Sequence, residues 1–294
     1  MKKKKKKSKL NTLINIFLVL ILLAGLSLLL YPTFSDLWNS TRQSKAISSY
    51  TKKVAKLTKE DYTKLWEDAK SYNEGILERY NLYVPSGEEE AIYQEILNVS
   101  GNGIMAYIEI PRINIELPIY HGTSESVLQV AIGHIEWSSL PTGGEGTHCI
   151  VSRHRGLPSA KLFTDLDEMA VGDQFYIHVL DKTLAYEVDQ IQTVLPEEVD
   201  DLKIEEGEDY VTLVTCTPYG INTHRLLVRG HRTDYIEPES ETEAETRKEV
   251  VVVENLTENF VEMAKKVFGG LVILILFMAI IFRKKKKKNR KDEM

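Results

Sequence analysis

The chain has 294 residues, 43 % hydrophobic and 27 % charged, with two cysteines and a formal net charge of −6. That length admits one substantial domain or two small ones, and a single cysteine pair gives no disulfide framework. Basic blocks at the two ends leave everything between them strongly acidic, which argues against a nucleic-acid partner.

Residues 1–9 form a basic tail, and residues 10–30 are uncharged and mostly apolar, long enough to cross a hydrocarbon core of about 30 Å as a helix. The expected N-terminal span is 10–31, and no small-x-small cleavage site follows it. A shorter apolar run lies in 265–282, flanked by Lys265, Lys266 and Arg283, and a basic tail occupies 283–294. Basic residues outside both runs predict two transmembrane helices with both termini cytoplasmic and the intervening chain outside the cell membrane.

Between the spans, residues 32–100 carry apolar residues at helical spacing (Val54, Leu57, Leu65, Ala69, Tyr72, Ile76) against alternating acids and bases. This predicts one or two helices ending near Tyr80, a loop over 81–90, and a short helix over 89–97. The period changes from Ile104. Short, partly alternating runs at 105–110, 113–117, 118–120, 148–152, 172–180, 184–193, 211–216 and 226–230 are punctuated by Pro and Gly. Seven or eight strands in residues 101–235 predict an all-β domain, a closed or nearly closed β-barrel, with a short helix over 160–169 and an acidic loop over 197–208. Residues 236–264 read as an acidic tether.

The chemistry concentrates at two strand ends. Cys216 closes the run 211–216, Arg225 opens the next, and the Pro218–Gly220–Asn222 turn lies between them. About sixty residues upstream, His154 closes a strand, flanked by Arg153, Arg155 and Gly156. A cysteine thiolate is a strong nucleophile whose abundance depends on nearby positive charge. A histidine can carry a proton to a leaving amine. An arginine cannot act as a base but can donate to a developing oxyanion. Cys149 sits inside an apolar run and reads as a small buried hydrophobe. His148 and His178 lie within strands and read as structural, whereas His224 and His231 are expected close to Cys216 in the fold and rival His154 as proton carrier. No ligand spacing argues for zinc and no glycine-rich loop for phosphate, so no cofactor is expected.

The segment Thr212-Leu-Val-Thr-Cys216-Thr-Pro-Tyr-Gly-Ile-Asn-Thr-His-Arg225-Leu-Leu-Val-Arg-Gly-His231 resembles the active-site strand and loop of sortases, especially the pilin-polymerising class C enzymes. Ser152-Arg-His154-Arg-Gly-Leu-Pro-Ser-Ala-Lys-Leu-Phe163 and Gly133-His-Ile-Glu-Trp-Ser-Ser-Leu-Pro141 are similar to other stretches of that class, as are the two terminal anchors. The resemblance implies a sortase-type β-barrel with Cys216 as nucleophile, His154 as catalytic histidine and Arg225 as catalytic arginine. It implies cleavage of a Leu-Pro-x-Thr-Gly (LPxTG)-like signal between Thr and Gly, then transfer of the acyl group to a lysine of a pilin subunit. Attachment of proteins to cell-wall peptide amines is the alternative reading. Many class C enzymes carry a lid with an Asp-Pro-aromatic motif, whereas this chain reads Asn81-Leu-Tyr-Val-Pro-Ser86 at that place, so a less covered site is expected.

Overall fold

A computed structural model describes residues 2–79, 87–156, 163–235, 265 and 269–270. The chain divides into two compact units, Met1–Leu37 with Pro238–Met294, and Trp38–Glu237. In the first unit the described residues are helical. Helix α1 (Lys2–Val54) includes a stretch from Ile14 onward that is long and apolar enough to cross a membrane by length and composition. The expected span at 265–282 and the tether at 236–264 lie outside the described residues apart from residues 265, 269 and 270.

In the second unit α1 ends at Val54 and α2 (Lys59–Arg79) begins after a short break. Thr58 makes that restart. Its hydroxyl accepts from the Asp61 N–H at 3.2 Å, while the Asp61 carboxylate accepts from the Thr58 N–H at 2.9 Å. The two side chains satisfy two of the donors that a helix start leaves free. Helix α3 (Gly87–Glu95) begins earlier than expected, because Glu88, Glu89 and Glu90 suit the positive end of a helix. Leu97, with φ of 60°, breaks any continuation.

Eight strands close a barrel in the order β1-β2-β3-β4-β7-β8-β6-β5. They are β1 (Ile104–Ile110), β2 (Ile115–His121), β3 (Ile132–His134), β4 (Thr147–Ser152), β5 (Gln174–Val179), β6 (Lys182–Val194), β7 (Asp209–Thr217) and β8 (His224–Thr233), with a four-residue helix α4 (Glu125–Leu128) between β2 and β3. The β2–β3 and β4–β7 pairs are parallel and the rest antiparallel. The all-β barrel expected from the strand pattern is therefore present with eight strands.

Three local expectations differ. The runs 113–117 and 118–120 fuse into β2 across Pro118, because β3 begins pairing only at Ile119 and the ladder on that side starts after the proline. Strand β3, only three residues long, carried no pattern of its own. Of the helix expected over 160–169, the described residues contain a 3-10 turn at Leu166–Glu168, and the acidic 197–208 loop holds another at Asp200–Leu202.

Side-chain alternation sorts each strand into two faces. Cys149, Val151, Val211, Leu213, Leu226 and Val228 fill the barrel interior, while Ile150, Val214 and Leu227 face outward beneath Leu202. The preceding helices lie against the barrel through specific polar contacts. The Tyr50 hydroxyl donates to the Met105 carbonyl at 3.1 Å and accepts from the Leu180 N–H at 2.9 Å. Asn73 accepts from the Leu140 N–H and donates to Thr142, and the Trp66 indole donates to Asp181 at 2.8 Å.

Candidate active site

The register of the barrel decides which predicted residues meet. In the β7–β8 ladder Val214 pairs with Leu227 and Cys216 with Arg225, with no irregularity between them. Directly opposed side chains share a face and stand roughly 4.5–5.5 Å apart at Cβ. Cys216 and Arg225 therefore continue the outward series of Val214 and Leu227. The parallel β4–β7 ladder sets Ser152 beside Val214. Beyond it the Arg153 N–H donates to the Val214 carbonyl at 3.1 Å, and the Thr215 hydroxyl donates to the Arg153 carbonyl at 2.8 Å. These bonds carry β4 past its last strand residue and deliver His154 to the level of Cys216, continuing the outward series 148, 150 and 152.

Arg225 and His154 are each supported. The Arg225 guanidinium donates to the carbonyls of His224 at 3.1 Å and Asn222 at 3.3 Å. Asn222, with φ of 62°, ends the turn that starts at Pro218, whose carbonyl accepts from the N–H groups of Ile221 and Asn222. His154 Nε2 lies 3.2 Å from Glu125 Oε2. Beside it, the largely buried Arg155 side chain donates to the Thr164 carbonyl and the Thr217 hydroxyl and pairs with Asp167. Gly156 (φ of 79°) lets the Tyr219 ring pack against the backbone, since a Cβ there would meet the ring at 2.8 Å. Tyr219 and Ile221 are otherwise exposed at the site's edge.

Both cysteines are free, and they lie on opposite faces. Cys149 pairs with Val211 in the interior, about 16 Å along the strand from Cys216 at the usual rise per residue. Burial pushes its thiol far above the ordinary range. The rival histidines separate as clearly. His231 pairs with Tyr210 at the far end of β7 and contacts Glu208 at 3.1 Å, which corrects the expectation that it lies close to Cys216 in the fold. His224 pairs with Thr217 and faces away from the Cys216 side. His148 is enclosed between the Lys203 carbonyl and the Thr212 hydroxyl, and His178 stacks on Tyr107 at 4.3 Å between ring centroids.

Sequence reasoning missed Glu125. It lies 29 residues from His154 on a helix too short to show periodicity, and only the Glu125–Gln129 spacing hinted at an ordered turn. Among the described residues no group of three His, Cys, Asp or Glu side chains is arranged to hold a metal ion. Residues 81–86, on which the expectation of a less covered site rests, lie outside the described residues.

Comparison with known proteins matches this architecture. Residues 108–233 fit the sortase domain family. Sortase C1 of Streptococcus agalactiae is 50 % identical, with a TM-score of 0.62 over 65 % of this chain and 100 % of that one. Sortase C of Streptococcus pneumoniae is 43 % identical, with a TM-score of 0.56 over 66 % of this chain and 99 % of that one. Sortase A of Streptococcus agalactiae serotype III (strain NEM316) is 30 % identical over 130 residues, which is 43 % of this chain and 52 % of that protein. The chain thus spans about half the length of that curated relative. A barrel of this order, matched along the whole length of a solved class C enzyme at half identity, places the chain in the sortase family, among its class C members.

Proposed function

We propose that this chain is a membrane-anchored cysteine transpeptidase that polymerises pilins. The observation that carries the reading is the Cys216–Arg225 cross-strand pair, with the end of β4 bringing His154 to the same outward edge. A thiolate at Cys216 attacks the Thr carbonyl of an LPxTG-like signal, and Arg225 donates to the oxygen that becomes negative. The tetrahedral adduct collapses when His154 gives its proton to the departing Gly amine, leaving a thioester on Cys216. A pilin lysine amine then attacks the thioester. His154 takes the proton that this amine loses, an isopeptide bond forms, and the thiolate is regenerated. Exchange between thiol and amine changes no oxidation state, so these steps need no oxidant or reductant.

The pilin assignment is supported by the likeness to sortase C of Streptococcus pneumoniae, whose structure is described in connection with pilin substrate specificity. For the membrane, we assign 10–31 and 265–282 as spans, 1–9 and 283–294 as cytoplasmic tails, 101–235 as the outward catalytic domain, 32–100 as its helical support and 236–264 as a tether. The basic blocks support that orientation. Tethering enzyme and substrates to one surface raises their effective concentration.

Substitution tests the roles. With the full chain in detergent micelles and an LPxTG-like peptide, Cys216→Ala abolishes thioester formation. His154→Ala and Arg225→Ala each slow turnover by about a hundredfold or more. Near-wild-type turnover in His154→Ala would remove the proton-carrying role from that residue.

A further inference from the structure

His154 is oriented from two sides. Its backbone is tied to β7 through Arg153, and its ring meets Glu125 of α4, with Nε2 3.2 Å from Oε2. The other carboxylate oxygen, Oε1, accepts from the Gln129 side-chain amide at 2.9 Å. One carboxylate is therefore held at both oxygens, by an amide four residues along and by the imidazole of a different element. The amide and the imidazole both hold the Glu125 carboxyl below its ordinary range, so it is ionised at neutral pH.

The segment carrying Glu125 is itself fixed. Gly122, at the exit of β2, has φ of 70° and donates its N–H to the buried Tyr93 hydroxyl at 2.9 Å. Ser124 accepts from the N–H groups of Val127 and Leu128, Val127 accepts from that of Ala131, and the Gln43 side chain donates to the Val130 carbonyl at 2.8 Å. Gly133 packs so closely on the Gly122 carbonyl that no side chain fits between them. Glu125 is exposed, but the loop that presents it is tied to a buried hydroxyl and to α1.

We infer that Glu125, braced by Gln129, is the positioning residue for His154: it accepts the Nε2 hydrogen and so leaves Nδ1 to exchange protons with the reacting groups. A carboxylate only accepts, so the ring nitrogen facing it must carry hydrogen. In the neutral imidazole that fixes the Nε2–H tautomer and puts the lone pair on Nδ1. In the imidazolium, Nδ1–H is the proton given to the departing amine, and Nδ1 recovers one from the incoming amine. Nothing is transferred to Glu125. A fixed tautomer matters because a ring free to flip offers the wrong nitrogen for part of the time.

This inference rests on the transpeptidase reading, so its test has an arm independent of turnover. The full chain, labelled with nitrogen-15 at histidine, is studied in micelles by long-range proton–nitrogen NMR, with His154 assigned by the spectrum of His154→Gln. Above the pH at which the ring is neutral, wild type should show His154 as the Nε2–H tautomer, whereas Glu125→Ala should show both tautomers. Kinetically, Glu125→Ala should lower kcat about three- to tenfold with KM within twofold, as expected for a charge-assisted but exposed bond. Glu125→Gln, which keeps an acceptor oxygen, should restore the tautomer and part of kcat, and Gln129→Ala should cost about twofold. An unchanged His154 tautomer in Glu125→Ala would overturn the proposal, as would an unchanged kcat or a loss lying wholly in KM. If wild type forms no thioester, the transpeptidase reading fails, and the tautomer comparison still decides whether Glu125 sets the ring.

Discussion

Removing one hydroxyl, in Tyr93→Phe, tests how the barrel holds the loop behind its candidate site. Tyr93 is buried and its oxygen makes three contacts: it accepts from the Gly122 N–H at 2.9 Å, and it lies 2.9 Å from His134 Nδ1 and 3.3 Å from the His134 carbonyl. The hydrogen positions follow from the surroundings. His134 Nε2 lies 2.8 Å from the Ser139 carbonyl, which can only accept, so Nε2 carries the hydrogen and Nδ1 receives one from Tyr93. Phenylalanine would leave a buried N–H and a buried ring nitrogen without partners. At about 1–3 kcal/mol for each such group, with some relaxation, the loss is about 3 kcal/mol. For a unit of this size that is about 6–12 °C in Tm.

The same cluster sets an acid limb. Burial lowers the His134 pKa from 6.5 to about 4, and His121 and His148 are shifted in the same direction by burial. The unfolded chain takes up this proton near pH 6.5 and the folded chain only near pH 4. Acid therefore favours unfolding across that interval: the His134 contribution, about 3 kcal/mol, is fully present above pH 6.5 and is lost as pH falls towards 4. Urea titrations of wild type and Tyr93→Phe from pH 7.5 to 4.5 measure both effects. The variant should unfold at lower urea at every pH and show a shallower acid limb, because its neutral imidazole has lost a hydrogen bond. Equal stability of the two proteins at pH 7.5 would mean that Gly122 and His134 do not depend on Tyr93.

Other substitutions probe the close approaches. In Gly230→Ala the new methyl would lie 2.5 Å from Phe175 Cε1 and 3.0 Å from Tyr186 Cβ inside the barrel; a loss of about 2–3 kcal/mol is expected in denaturant titration. Gly156→Ala introduces a methyl 2.8 Å from the Tyr219 ring at a backbone angle unfavourable to alanine. It should displace the segment after His154 and cut turnover about ten- to hundredfold, with little change in Tm. A Gly156→Ala enzyme with unchanged turnover would show that the Tyr219 contact does not hold the site's edge.

What the sequence disclosed depends on the distance over which each relation acts. Cys216 and Arg225 flank a single turn, so their pairing was legible from Pro218, Gly220 and Asn222 together with the two apolar runs. The parallel β4–β7 pairing, which brings His154 to the same edge, joins segments about sixty residues apart; His154 stood out as a strand-end imidazole among arginines, but no local pattern gave the pairing. His231 was misjudged because chain proximity ignores hairpin length: β8 carries it away from Cys216 for six residues. The Thr58–Asp61 pair marks the break between α1 and α2 locally. Glu125 left no comparable mark, since a four-residue helix between two strands has no periodicity and its value comes from a contact made only in the folded chain.

The most direct test of the central claim incubates the full chain in micelles with an LPxTG-like peptide and a pilin bearing its acceptor lysine, followed by mass spectrometry. A thioester should appear on Cys216 and resolve into an isopeptide bond to the pilin lysine. A thioester resolved only by small cell-wall peptide amines or by water would contradict pilin joining. Isopeptide formation that persists in Cys216→Ala would contradict the assigned nucleophile.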